Sequence, residues 1–444
     1  MKSICLCFEI NQPFHFKKYR FFDIGSEHYY YDDYTNETSI RRISDLCYLP
    51  ANKILLELIK KYKNKFKISF SITGTALEQF KLYAPDVLDS FKMLAKTGQV
   101  EFLSETFSHS LSSLRDKDLF AGQIKKHDDI IENIFGKRPS VFRNTDLIYN
   151  DKTGAIVADL NFKGMLAEGP KEKTEWKSPN FLYNNALNPK LKIFLRNAGL
   201  SDDLSIRFSN KSWSDYPLTA DKYVKWMDDD SNSEIFNLFI NYETLGYTQT
   251  ESSGIFDFIK KLPEFVFNSN SLKFATPSEI IKEYKSVSSV NVPETISSRE
   301  EEKNLTELMG NEMQKEAFNK LYDLSNQMKM VKDPDMIRDW NYLQESDHFG
   351  YMCTKTFSEG TFQNSHNPYE NPFDAFINYM NVLNDFKLRL DTFAPENKTE
   401  QKDKALPPLL KEKDKKIKEN TSQLKKNGSQ INNKRKKKNI KAKK

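Results

Sequence analysis

The chain has 444 residues and a formal net charge of +5, and that charge is unevenly placed. Residues 401–444 hold sixteen Lys and one Arg against Asp403, Glu412, Asp414 and Glu419, a net of +13, which leaves −8 for residues 1–400. An acidic body excludes a globally basic nucleic-acid-binding one, no run of about 18 apolar residues predicts a membrane helix, and four cysteines (Cys5, Cys7, Cys47, Cys353) make no disulfide framework.

Residues 3–10 open the chain as an apolar strand. The stretch from Ile4 to Ile10 is too short for a secretory leader and contains Glu9, so a reducing cytoplasm is the expected location. Cys5 and Cys7 on that strand have no CxxC or nearby His to suggest zinc and read as small buried residues. Further β-branched or aromatic runs follow at 65–73, 100–106, 140–145, 164–168, 205–210 and 235–243, and residues 274–279 form an eighth strand or a strand-to-helix turn. Helix-like stretches lie between them. Residues 51–63 are amphipathic, 85–97 begin at Pro85 and stop at Gly98, and 118–135 stop at Gly136. Strand–helix alternation repeated about seven times predicts a parallel α/β barrel over residues 1–285, with a doubly wound open sheet as the alternative. No GxGxxG follows the first strand, which weakens a dinucleotide-binding version. Residues 286–299, including VSSVNVPETISS, read as a linker. Residues 300–392 read as an α-helical domain, with runs at 300–331, 334–357 and 372–388. Residues 393–444 read as a disordered, Lys-rich basic tail. The tail has no interleaved aromatics, so at most weak, non-specific, salt-dependent RNA contact is expected of it.

In a parallel barrel, chemistry sits at the C-terminal ends of the strands. This sequence places there Glu9 to Pro13, Ser104 to His109, Arg143 to Asp146, Glu168 with Gly169, Ser209 with Asn210 and then Trp213, and Asn241 to Thr244. A solvent loop explains any one such run. Carboxylates recurring on strands three, four, five and seven point to a polar cleft on one barrel face. Two carboxyl groups across a glycosidic bond are what glycoside cleavage needs. Metal-dependent hydrolysis would want a His pair at helical spacing, and the six histidines show no H-x-x-x-H, so neither metal nor cofactor is expected.

Segments carrying these residues resemble glycoside hydrolase family 57, the retaining α-amylase and 4-α-glucanotransferase family, over roughly residues 3–390. They are FEINQP at 8–13, RFFDIGSEHYYYDDY at 20–34, GQVEFLSETFSHSL at 98–111, VFRNTDLIYND at 141–151, FINYETLGYTQ at 239–249, FATPSE at 274–279 and ESDHFGYM at 345–352. The resemblance implies a distorted (β/α)7 barrel followed by the helical domain, with an α-1,4-glucan or maltooligosaccharide cleft between them. It assigns the nucleophile position to Asp146 and the acid/base position to Asn241. Asn11, Glu105, Glu243, Asp347 and the adjacent His348 become substrate contacts. Trp213 is either a stacking platform for a sugar ring or a core tryptophan.

Three positions depart from the family pattern. Asn11 replaces the His of His-Gln-Pro, Asp146 replaces the Glu nucleophile, and Asn241 replaces the Asp of Asp-Tyr-Glu-Thr. A shorter carboxylate withdraws the nucleophile by roughly 1.5 Å, one C–C bond, and a misplacement near 1 Å costs about 10²-fold. A carboxamide at 241 cannot donate a proton, a loss of about 10²–10⁴-fold. The expectation is an α-glucan protein with lost or weakened hydrolysis. The alternatives are an active amylase or glucanotransferase using Asp146 with Glu243 as a relocated acid, and a non-catalytic glucan-binding or scaffold protein.

Overall fold

The computed structural model describes residues 1–169, 178–299, 302–359 and 367–393. The expectations for the basic tail, including RNA contact, fall almost wholly outside these residues. Strand β1 (Lys2–Ile10) is buried on both faces, as strands of a covered parallel sheet are. Ile4, Leu6, Phe8 and Ile10 join the layer of helices Asp33–Ile43, Leu49–Tyr62 and Pro85–Ala95. Cys5 and Cys7 point the other way, into the barrel, with their Sγ atoms 3.7 Å apart, and all four cysteines are free and buried.

β2 (Ile68–Ile72) and β3 (Val100–Phe102) continue from β1 in parallel. Ser104, just past β3, forms a parallel bridge to Phe142 of β4 (Val141–Arg143), which pairs in parallel with β5 (Gly164–Ala167). β6 (Leu182–Asn185) is an antiparallel excursion from β7 (Lys192–Leu195), and β7 returns parallel to β5. β8 (Ile235–Asn241) pairs in parallel with β1, and the Asn197 N–H beyond β7 donates to Asn237 O of β8 at 2.9 Å, which completes the ring. The seven barrel strands are therefore β1, β2, β3, β4, β5, β7 and β8. The short strands β9 (Leu245–Gly246) and β10 (Gln249–Thr250) follow β8. β11 (Leu272–Phe274) pairs with the first residues of β1 on the edge that β2 takes higher up, so two strands share that edge and the barrel is distorted. Residues 274–279 are thus a strand-to-helix turn, leading into the helix Pro277–Glu283 behind a Thr276/Glu279 capping box.

Two expectations need correction. Residues 205–210 are not the sixth strand. Their S-I-R-F-S alternation lies on a π-helical turn, Asp203–Arg207, where an i,i+4 ion pair joins Arg207 Nε to Asp203 Oδ1 at 2.6 Å and Ile206 is solvent-exposed. The sixth barrel strand is β7, whose KIFL run sits in a hairpin closed by the Asn-Pro-containing turn 186–191. Residues 286–299 are not a free linker either. β12 (Ser288–Val290) pairs with β6, Val292 N–H donates to Asp151 at 2.8 Å, Ile296 bridges Tyr149, and Ser298 N–H donates to Asp146 O at 2.8 Å. The Ser/Thr/Val composition that reads as linker is a strap laid across the barrel.

The helical part is divided more finely than expected. It comprises Thr306–Met309, Glu312–Tyr322, Ser325–Met328, Pro334–Leu343, Ser346–Gly350, Thr354–Ser358 and Pro372–Phe393. Its core takes in Phe14, Phe16, Tyr19, Tyr30 and Tyr31 from the long loop after β1. Phe14 stacks on Tyr342 with centroids 3.9 Å apart and planes 13° from parallel. These aromatics tie the helices to the C-terminal end of β1, where the cleft opens. Among the described residues no helix is long and apolar enough to cross a membrane.

Candidate active site

The alternation that builds the barrel interior also builds the site. Cys7, Leu103, Val141, Leu166, Phe194 and Phe239 pack together inside the barrel. Two residues further along each strand direction stand Glu9, Glu105, Arg143, Glu168, Arg196 and Asn241. A ring of apolar side chains is thus capped by a ring of polar and charged ones. Above it lies a cleft of about 910 Å³, roofed on one side by Arg299, Lys303 and Glu307 and by Asp347 of the helical part.

Asp146 lines this cleft on a 3-10 turn after β4, with φ 47° and ψ 33°. The next residue, Leu147 (φ 52°), and His109 (φ 50°) are also left-handed. Such backbone costs on the order of 1–3 kcal/mol per residue and gathers at functional sites. Arg299 Nη1 lies 3.2 Å from Asp146 Oδ2, and His109 Nε2 lies 3.7 Å from Oδ1. Gly350 leaves the room for that guanidinium, since a Cβ there would come within 2.5 Å of Arg299 Nη2. Burial alone would raise the Asp146 carboxyl, but Arg299, His109 and Arg143 together hold it well below the usual carboxylate range.

His109 sits among three carboxylates: Glu105 at 3.5 Å from Nδ1, and Glu9 and Asp146 each at 3.7 Å from Nε2. Burial would lower its imidazole, yet Asp146, Glu105 and Glu9 raise it to about 10, so it is an imidazolium at neutral pH. Glu9 is further paired with Arg143.

Across the cleft, Asn241 ends β8 and is exposed to solvent, its Cα in register with Glu9 of β1. β8 stops there. Tyr242–Thr244 is a 3-10 turn, so strand alternation does not place Glu243, although both residues line the cleft. Glu243 is buried and accepts hydrogen bonds from Tyr48 Oη and, at 3.0 Å, from Gln12 Nε2. Tyr48 reaches it from the π-helical turn Ser44–Tyr48. Gly246 (φ 108°) allows the close approach, because a Cβ there would lie 2.1 Å from Leu46 O. Burial pushes the Glu243 carboxyl up to about 7 against the pull of those hydrogen bonds.

Of the remaining candidates, Asn11 and Asp347 face the cleft and join the barrel to the helical part through Asn11 Nδ2 to Asp347 Oδ2 at 2.8 Å. Glu105 lies outside the cleft lining, fully buried beneath His109, and accepts from Ser71 Oγ at 2.9 Å. His348 also lies outside the cleft lining: it stacks on Phe16 with centroids 4.3 Å apart, bonds Tyr342 O at 3.1 Å, and is lowered by burial to about 4. Trp213 lies outside the cleft lining, partly buried against the core, edge-on to Trp226 and near the Arg207 guanidinium. Strand-end position alone pointed toward Glu9, His109 and Arg143. Nothing local marks Arg299 or Tyr48, which arrive from a strap and a π turn distant in sequence. Among the described residues no group of three or more His, Cys, Asp or Glu is placed to hold a metal ion.

A distorted seven-stranded parallel barrel with a carboxylate-bearing cleft at its strand C-termini, closed over by helices, is the architecture of a glycoside hydrolase. The chain belongs to glycosyl hydrolase family 57, whose family profile matches residues 5–293, and it is an α-amylase-like member. A relative from Methanocaldococcus jannaschii carrying the name "Putative alpha-amylase" is 38% identical over 369 residues, covering 81% of this chain and 78% of the relative. Among solved structures, the family 57 branching enzyme of Thermococcus kodakaraensis superposes with a TM-score of 0.61 at 13% identity, covering 92% of this chain and 99% of that one. The α-amylase AmyC of Thermotoga maritima gives 0.58 at 14% identity, covering 89% and 95%. At these identities the two structures speak to fold.

Proposed function

We propose that the protein binds α-1,4-glucan in this cleft and that its hydrolysis of ordinary glucosidic bonds is lost or strongly reduced. The observation that carries this is Asn241, at the cleft-facing end of β8, where a retaining enzyme of this family would hold its proton donor. An amide neither protonates a leaving sugar nor activates water, which costs about 10²–10⁴-fold. Asp146 remains an anion, but it is one methylene shorter than the family's Glu.

One observation favours a second reading, slow turnover with Glu243 as relocated acid. The Asp146 carboxyl is pushed down and the Glu243 carboxyl up to about 7, and a pair separated in this way is the mark of an acid and its partner carboxylate. Against it, Glu243 is tied to Tyr48 and Gln12. Incubating the protein and its Asp146→Ala variant with soluble starch and maltooligosaccharides decides the matter. Binding without turnover is the expected result. Turnover that disappears in the variant would sink the loss of hydrolysis, and absence of glucan binding would sink the whole reading.

A further inference from the structure

The cleft has kept a nucleophile and lost a proton donor. Asp146 is ionised, and its Oδ1 lies beyond hydrogen-bond distance of His109 Nε2, while Oδ2 takes Arg299. A nucleophile without an acid can still displace a leaving group that departs as a stable anion. The wall next to Asn241 is built to meet one. Arg196 donates its Nε–H to Phe239 O, two residues before Asn241, at 3.0 Å. The turn Asp203–Arg207 lies against the same loop, since Gln249 Nε2 donates to Ser205 O at 2.9 Å. Arg207 lines the cleft from that turn. Its Nε goes to Asp203 and its Nη2 to Gly199 O at 2.8 Å, and among the described residues Nη1 has no partner. Ser205 and Thr248 also line the cleft there. Glu168 and Asp202 pair with Arg196 and Asp203 pairs with Arg207, so both guanidiniums are charge-compensated and Arg207 Nη1 is the donor left over for a ligand.

We propose that this cleft accepts a glycosyl donor with an anionic leaving group, an α-glucosyl phosphate ester whose phosphate is met by Nη1 of Arg207. The inference rests on the α-glucan reading and names a substrate class for the same site. In the first step an Asp146 oxygen attacks the anomeric carbon while the bond from that carbon to the phosphate oxygen breaks. The ester reacts as its monoanion, so hydrogen phosphate leaves as a dianion with the electron pair and takes no proton from the protein, and Asp146 becomes a glycosyl ester. Water or a sugar hydroxyl attacks that ester slowly, because position 241 offers no base. Phosphate attacks it directly, the bond to the Asp146 oxygen breaks, and the carboxylate is restored. The net reaction is exchange of phosphate on the glucosyl donor.

Three measurements on the full chain test this: maltooligosaccharide binding by calorimetry, fluoride release from α-glucosyl fluoride, and exchange of isotopically labelled phosphate into α-glucose 1-phosphate. Fluoride release and phosphate exchange are expected from the native protein, both absent in Asp146→Ala, with a glucosyl adduct on Asp146 visible by intact mass when phosphate is withheld. Arg207→Ala should weaken phosphate exchange roughly tenfold to a hundredfold, the size of a lost charge-assisted hydrogen bond, and lower fluoride release by clearly less, with a melting temperature near the native value reporting an intact fold. Fluoride release without phosphate exchange, or equal losses on both donors in Arg207→Ala, overturns the phosphate assignment. No reaction with either donor while maltooligosaccharide still binds overturns the donor inference and leaves the glucan reading standing. No maltooligosaccharide binding overturns the reading beneath it.

Discussion

Restoring the family's carboxylates should restore hydrolysis, and the structure indicates in which order. Asn241→Asp exchanges an amide for a carboxyl of the same shape at the end of β8, where the side chain is exposed to the cleft and has no hydrogen-bond partner among the described residues. Folding stability should change by less than about 0.5 kcal/mol, as for other exposed substitutions that break no contact. The new carboxyl stands in register with Glu9 on a strand about 4.8 Å away. Arg143 neutralises Glu9 only in part, since burial leaves Glu9 above its ordinary value. A neighbouring negative charge raises a carboxyl pKa, which is the direction a general acid requires. The expected gain in kcat/KM on maltooligosaccharides is about 10²–10⁴-fold. Asp146→Glu is worth less by itself. It extends the nucleophile by roughly 1.5 Å, but toward an Arg299 already 3.2 Å away and from a backbone at φ 47°. Asp tolerates the left-handed region better than Glu, so about 1 kcal/mol of stability should be lost. Asn241→Asp alone should therefore exceed Asp146→Glu alone, and the double variant should exceed both. Initial rates of reducing-end formation, with the product anomer read by NMR, give the answer. If neither the single nor the double variant rises by about tenfold, against the general acid/base range, while glucan binding is intact, then the missing carboxylate at 241 is not what limits the cleft.

Two further outcomes follow from the charges. Glu243 stands at about 7 in the folded protein against 4.5 for the free group, so between those values the native state holds a proton that the unfolded chain releases. Its contribution is fully present below about 4.5 and lost as pH rises to about 7, an effect of at most about 3 kcal/mol. Glu243→Gln, which keeps an acceptor for Tyr48, should flatten the melting temperature over that window and raise it at pH 8, and an unchanged slope would refute the assignment. His109→Leu removes the imidazolium from among Glu9, Glu105 and Asp146 and should cost about 3–5 kcal/mol, the penalty of stranding buried charge. A denaturation midpoint near that of the native protein would show that the three carboxylates do not depend on it.

Six of the seven barrel strands are legible as single apolar runs, β1 and β8 most clearly, because both their faces are buried and composition follows burial. The sixth in chain order failed for a physical reason. Residues 205–210 alternate as a strand does, but the Asp203–Arg207 pair and the Ser205-to-Ser201 hydrogen bond favour a helical turn. β7 is hidden in a hairpin whose Asn-rich turn resembles a loop. Within the site, Asp146, Asn241, Asn11, Glu243 and Asp347 reach the cleft, and four of them sit at or just beyond the ends of barrel strands. Glu105 and His348 do not line the cleft, and adjacency in a motif does not say which neighbour faces it. Glu105 is covered by His109, and His348 turns from the cleft onto Phe16. Arg299 was not legible at all, since its partner Asp146 lies 153 residues away and only the strap's path joins them.

The charge state of the cleft bears on whether the protein is a passive glucan binder. Neutral hydroxyls and amides suffice to hold sugar. Burying Asp146, Arg299, His109, Arg143 and Glu9 together costs several kcal/mol per ion, returned only in part by their mutual attraction. His109, Asp146 and Leu147 add backbone strain to that cost. Stability does not account for such an arrangement, because well-packed apolar residues would serve a fold as well or better. Nor does proton donation, since Asn241 cannot supply it. What the three cations around Asp146 achieve is to keep one strained carboxylate ionised in a cleft where desolvation would otherwise protonate it. An ionised carboxylate is of use against an electrophilic carbon. Its retention opposite an amide argues for a donor whose leaving group departs as an anion, which is what the proposed phosphate donor would provide.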